Sequence, residues 1–232
     1  MRRGMAEALR DARSASRAVV LLTPLDGGAQ RLLDAQALAL LALTDPALAT
    51  AAREALRSDR ATTLEHQGGE VLITPHNPPL RLVIVGAVHI SEALCAMARQ
   101  CGYAVSVVDP RTAFLRPDRF AGVTLIGQWP QQAFAQLAPD ARTAVVLLTH
   151  DPKIDDPALL AVLPTPAFYI GALGSTRTHA RRLDRLAAAG VSEVDRARIH
   201  GPAGLRIGAR TPAEIAVSVL AQLTQVLRSA AP

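Results

Sequence analysis

From residue 81 onward the chain repeats one pattern: a short unbroken apolar run, a glycine or polar break, then a stretch with helical spacing. The runs fall at 81–86, 103–109, 123–127, 143–149 and 167–171. A strand covered by helices on both faces carries no polar alternation, so it reads as a continuous apolar run. Strand and helix alternating in this way predict an α/β fold with a mostly parallel, doubly wound sheet.

The helices between the runs have their own signals. Residues 91–102 place Ala93, Leu94, Met97, Ala98 and Cys101 on one face. Thr211-Pro212-Ala213-Glu214 is a capping box with proline at the first helical position. Ile215, Ala216, Val219, Leu220, Leu223 and Leu227 follow as its buried stripe. Asp156-Pro157 reads as another helix start, with Asp156 as its N-cap.

The first third of the chain has a different pattern. Residues 1–17 read as a short amphipathic helix and not as a signal peptide, because Glu7 and Asp11 interrupt the segment and no apolar region follows. Residues 17–33 read as two strands around Asp26-Gly27-Gly28, residues 46–59 as a helix, and residues 62–75 as a hairpin turning at Gly68-Gly69. The polar, proline-rich stretch 76–79 then marks a boundary. The expected domains are a small α+β unit at 1–78 and the α/β unit at 79–232.

Composition excludes some classes of function. Half of the 232 residues are hydrophobic, but every run is strand-sized, well short of the roughly 18 residues that span a bilayer. A cytoplasmic protein without membrane contact is expected. The net charge is +5, and every cation except Lys153 is arginine. These arginines are interspersed with acids, and aromatics make up only 3% of residues, so no nucleic-acid stacking surface is expected. Cys95 and Cys101 lie six apart on one predicted helix. They point about 240° apart, cannot pair with each other, and read as buried free thiols.

In a doubly wound sheet, ligands bind at the carboxyl ends of the strands. The residues there are the candidate ligand-binding set: Gly86 and His89, Asp109 and Arg111, then Thr149, His150 and Asp151, and finally Gly171, Gly174, Ser175 and Arg177. The first turn departs from a dinucleotide fingerprint, since Val88 and Ser91 stand where the second and third glycines belong. Asp109 sits where a ribose-binding acid would lie, and reads equally as a solvated strand end. The turn "GALGSTRT" at 171–178 is the stronger signal. Glycines permit a tight backbone, Ser175 or Thr176 can cap the helix, and the helix start with Arg177 favours an anion.

Arg177, Arg181 and Arg185 form a basic stripe read as a solvated face, its charge partly relieved by Asp184. His150, Asp151, Asp155 and Asp156 match no metal-binding spacing, and no catalytic triad is assignable. The loop 200–211 adds Gly201, Gly204 and Arg210 to the candidate set, because its three glycines lack a secondary-structure reason.

Three blocks, "LTHDPKIDDPAL", "FYIGALGSTRTHARRL" and "IHGPAGLRIGARTPAEIA", resemble the C-terminal Rossmann domain of the XdhC/CoxI family, the accessory proteins of xanthine and carbon monoxide dehydrogenases. The resemblance covers about residues 80–228. It implies a Rossmann-like fold and a molybdenum cofactor chaperone. Such a protein binds the molybdopterin cofactor, in mono- or dinucleotide form, and holds it while a cysteine desulfurase supplies its sulfido ligand. It then delivers the cofactor to an apo-molybdoenzyme of the xanthine dehydrogenase family. A homodimer is plausible on the same ground. Many members carry an N-terminal Gly-Gly-Cys element; here Gly27-Gly28 is followed by Ala29 and Gly68-Gly69 by Glu70, and no cysteine precedes Cys95.

Two other readings stay open. An NAD(P)-dependent oxidoreductase is supported by Asp109 and opposed by Val88 and by the lack of an assignable proton donor. A scaffold would recruit partners through the basic stripe. The boundary itself is testable. Limited proteolysis is expected to nick near 76–81 before cutting within 85–225, and early cuts inside the second region would mean that the halves are not separate folding units.

Overall fold

The computed structural model describes residues 3–229. The chain divides into two compact units between Pro78 and Pro79.

The first unit begins with α1 (Arg3–Ser14), β1 (Val19–Pro24), β2 (Arg31–Leu33), α2 (Ala35–Thr44) and α3 (Pro46–Ser58). It ends with β3 (Thr62–His66) and β4 (Gly69–His76). The strands form an antiparallel sheet in the order β2-β1-β4-β3. Gln67 and Gly68 have φ of +51° and +84°, so a two-residue turn joins β3 to β4. Asp45 ends α2, and its carboxylate accepts from the Leu48 amide at 3.1 Å to start α3. Leu38, Leu41, Leu48 and Ala52 then pack against Val20, Leu22 and Ile73.

The second unit comprises β5 (Arg81–Val85), α4 (His89–Gln100), β6 (Ala104–Val108), β7 (Thr124–Ile126), α5 (Pro130–Leu137) and β8 (Thr143–Leu147). It continues with α6 (Pro152–Val162), β9 (Tyr169–Ala172), α7 (Thr176–Ala188), α8 (Glu193–Ala197), β10 (Ile199–His200) and α9 (Pro212–Ser229). All six strands are parallel, in the order β10-β9-β8-β5-β6-β7. That is the Rossmann order, with its topological switch between β5 and β8. Alternate residues of β5 feed two cores. Leu82 and Ile84 join Leu94, Ala98, Val219 and Leu223 on one face. Val83 and Val85 join Phe134, Leu159 and Leu186 on the other.

The expected strands all form, but the second hairpin turns at Gln67-Gly68 rather than at Gly68-Gly69, and three further details differ. The N-cap of α6 is Asp151, accepting from the Lys153 amide at 2.9 Å, and not Asp156. Two Asp-Pro steps compete here, and the helix starts at the earlier one, leaving Pro157 inside it. Cys95 is buried, but Cys101 is exposed, because α4 ends at Gln100 and Cys101 is its C-cap. Residue 200 belongs to a sixth strand and not to a loop. Among the described residues no helix is long and apolar enough to cross a membrane.

Candidate functional site

The first turn sits at the switch. Gly86 has φ +110°, and a Cβ there would lie 2.7 Å from Cγ2 of Thr149, so glycine is required twice over. The turn consumes its own amides. Ala87 N–H donates to Oδ2 of Asp109 at 2.9 Å, and Val88 N–H donates to Oγ of Ser91 at 3.2 Å. The Ser91 hydroxyl in turn donates to the Gly86 carbonyl. A dinucleotide fingerprint would offer such amides to a pyrophosphate; here side chains hold them.

Asp109 is fully buried, and both of its oxygens are engaged. Besides the Ala87 amide, it accepts from Arg111 through Nε, Nη2 and the backbone N–H, each at 2.9 Å. Burial pushes its carboxyl up, but the Arg111 and Ala87 hydrogen bonds outweigh burial and hold it below the ordinary aspartate value. Arg111 also lies over the Phe114 ring, 4.9 Å from its centroid. Beyond this pair a cleft of about 320 Å³ opens, lined by Ala87, Val88, His89, Arg111, Phe114 and Arg119. Arg119 is tied to Glu92 at 2.5 Å, and exposed His89 meets the same carboxylate at 3.3 Å.

At the end of β8, the Thr149 hydroxyl donates to Oδ1 of Asp155 at 2.5 Å and accepts from the Asp151 amide at 3.2 Å. His150 is exposed, with φ +60°. Asp155 is buried with Arg182, their charged atoms 3.5 Å apart, and Arg182 Nη2 donates to the Leu173 carbonyl at 2.9 Å. Burial raises the Asp155 carboxyl and lowers the Arg182 guanidinium, so each charge is disfavoured where it stands. Nε and Nη1 of Arg182 are buried without a partner among the described residues.

Leu173 leads into the second turn. Gly174 has φ +142° and lies against Thr178. Ser175, not Thr176, caps α7, its Oγ accepting from the Thr178 amide at 3.1 Å. The Thr176 and Arg177 amides head the helix and have no intrahelical acceptor. The Arg177 side chain is exposed and has no hydrogen-bond or ion-pair partner among the described residues. Gly171 lies inside β9 rather than in the turn, and the Tyr169 ring occupies the space beside it. In the basic stripe, Arg185 pairs with Asp156 at 2.5 Å rather than with Asp184.

Two of the three glycines of 200–211 have packing duties, while Gly208 has open space beside it and φ +78°. A Cβ on Gly201 would run into the His179 ring, and one on Gly204 would run into Ser218 Oγ. The Gly204 amide donates to Gln222 Oε1 at 2.8 Å, which also accepts from the Tyr169 hydroxyl at 2.7 Å. Arg210 has an exposed side chain, and its amide donates to Glu214 at 2.7 Å within the α9 cap. Among the described residues no group of three or more His, Cys, Asp or Glu is placed to hold a metal ion.

The model of the XdhC Rossmann domain matches residues 82–223, more than half of the chain. The chain belongs to this family. It is 35% identical over 160 residues to the uncharacterized protein YqeB of Escherichia coli K12, covering 69% of this chain and 30% of that protein. It is 34% identical over 149 residues to the E. coli molybdenum cofactor insertion chaperone PaoD, covering 64% of this chain and 41% of that one. A Bacillus subtilis 168 protein named as one subunit of a probable xanthine dehydrogenase is 32% identical over 155 residues, 66% of this chain and 45% of the relative. Each match thus spans less than half of the relative's length. The crystal structure of a xanthine dehydrogenase from Bacillus halodurans superposes with a TM-score of 0.73 at 21% identity, covering 98% of this chain and 65% of that one, a likeness of fold.

Arg182, Ser91 and Gln222 lie outside the set of residues expected at the site. Arg182 has a signal in the sequence: it falls four residues before buried Leu186, on the inner face of α7. The Val88 amide is held locally by Ser91 at the third helical position, but the Ala87 bond to Asp109 is tertiary and leaves no sequence signal.

Two measurements follow. NAD(H) is expected not to bind below roughly 100 μM, about −5.5 kcal/mol, and a low-micromolar constant by fluorescence titration would restore the oxidoreductase reading. Asp109 has its folded pKa below the unfolded one, so its contribution is complete above about pH 4 and is lost as pH falls through the depressed value. Asp109→Asn is expected to cost about 1–3 kcal/mol at neutral pH and to flatten the acid limb of thermal stability. An unchanged acid limb would show that the pair contributes nothing there.

Proposed function

We propose that the second unit holds the molybdenum cofactor and that the chain hands it to an apo-enzyme of the xanthine dehydrogenase family. The observation that carries this reading is the unequal state of the two turns at the ligand edge. The amides of the first are satisfied by Asp109 and Ser91, while the second heads α7 with the Thr176 and Arg177 amides, which lack intrahelical acceptors, beside an Arg177 guanidinium with no partner among the described residues. That donor set suits a phosphate better than a nicotinamide dinucleotide in its usual pose. The PaoD name and the family membership support the same reading.

The residues fit the group at its phosphate end. The Thr176 and Arg177 amides and the Arg177 side chain would hold the phosphate, or the pyrophosphate of a dinucleotide form. Ser175 keeps α7 capped and the turn in place. The cofactor supplies its own chemistry at its metal, so these residues anchor and do not catalyse. The chain would hold the cofactor in the cytoplasm while a cysteine desulfurase donates sulfur, and a homodimer would be the working form. Both of these partners rest on the family resemblance alone.

The test is Arg177→Ala. Loss of a charge-assisted hydrogen bond costs about 1.5–3 kcal/mol, so molybdopterin binding should weaken roughly 10- to 150-fold. Melting temperature should hardly change, since a cation near a helix N-terminus is not favoured by the dipole. Unchanged affinity would remove the anchor, and a large loss of melting temperature would make Arg177 structural.

A further inference from the structure

We propose that the first unit carries a second anion site, in the cleft between α1 and the end of β4, and that it takes a diphosphate-bearing small molecule. The cleft measures about 450 Å³, and its lining includes Arg10, Arg13, Arg17, Asp59, His76 and Asn77, all within the first unit. Such a volume lies in the range of small-molecule sites.

Arg10 and Arg13 lie three apart on α1, and Arg17 follows just after the helix ends, where its amide folds back to the Ala12 carbonyl at 2.8 Å. That return brings three guanidinium groups to one opening. None of the three side chains has a hydrogen-bond or ion-pair partner among the described residues. Arg57 in the same unit is by contrast bound by Glu54 at 2.7 Å. Asp59 is the one carboxylate in the lining, and it accepts from the Asn77 side chain. Three arginines and one carboxylate give the lining a net positive charge, with Arg17 also bordering Asp11 and Asp34.

His76 provides the second observation. Its Nε2 is buried and has no partner. Burial, and then the nearby Arg13, lower its tendency to protonate, which leaves a neutral ring. The ring also lines the cleft, so an anion held there would change its surroundings. Buried polar groups without partners are rare enough to need an explanation. The guanidinium forks match phosphate oxygens in planar, bidentate geometry. No Phe, Tyr or Trp lines the cleft, so it lacks the large rings on which nucleic-acid bases stack. This site lies outside the unit that the family model matches, and it stands or falls independently of the molybdenum reading.

The experiment is a titration of the full chain with inorganic pyrophosphate at constant ionic strength, followed by the ¹⁵N signals of the His76 ring and by calorimetry. Saturable binding with a shift of the His76 signals is expected. Arg13→Gln should weaken it about tenfold or more, while Arg53→Gln, an exposed arginine of α3 outside the cleft, should not. Equal weakening by both variants would mean diffuse charge screening and would overturn the site. Unmoved His76 signals in the unaltered protein would overturn it as well, whether or not Arg13→Gln folds.

Discussion

The contact between Gly86 and Thr149 governs the ligand edge of the second unit. A threonine methyl occupies the space that a side chain at residue 86 would need. The contact closes the switch between β5 and β8, the two strands from which the sheet grows in opposite directions. The same threonine turns its hydroxyl to Asp155, Asp155 faces Arg182, and Arg182 holds the Leu173 carbonyl. One chain of contacts thus runs from the first turn, across the end of β8, to the start of the second. β5 and β9 flank β8, so the turns are about 10 Å apart at ordinary strand spacing.

That chain is poorly suited to stabilising the fold. Its central ion pair is 3.5 Å apart and fully buried, and burial works against both charges. Replacing such a pair with apolar side chains is often neutral or stabilising, while removing one partner alone is strongly destabilising. Its consequence is better described as positional. With Arg182 fixed under Leu173, the Gly174–Ser175 backbone is held where α7 begins.

The parallel strands are legible in the sequence because each is buried on both faces. The sheet order of the second unit follows from their alternation with helices. Other features are hidden for physical reasons. α2 is apolar almost all round, with Leu38 and Leu41 buried but Leu40 and Leu43 exposed, so no helical period marks it. The start of α6 is ambiguous because Asp151-Pro152 and Asp156-Pro157 carry the same local signal. Only packing frees Asp156 to meet Arg185. In the site, the residue types at the strand ends are legible, but their partners are not. Asp109 is equally compatible in sequence with a ribose contact and with a bond to the Ala87 amide, and these lie 22 residues apart along the chain.

The loop 200–211 shows how far glycine can mislead. Three glycines without regular structure suggest a close approach to a ligand. Two of them instead admit the protein's own side chains: His179 beside Gly201, and Ser218 beside Gly204. Gln222 then joins the Gly204 amide to the Tyr169 hydroxyl, and the Tyr169 ring stacks on His200 with centroids 4.8 Å apart. The loop is thereby tied to β9, β10 and α9 through buried or half-buried polar contacts. A segment held this firmly does not need a ligand to order it. It forms a wall beside the second turn, and any anion at Thr176 and Arg177 would meet a site already in place. Binding would then cost the backbone little conformational entropy, the exposed Arg177 side chain excepted.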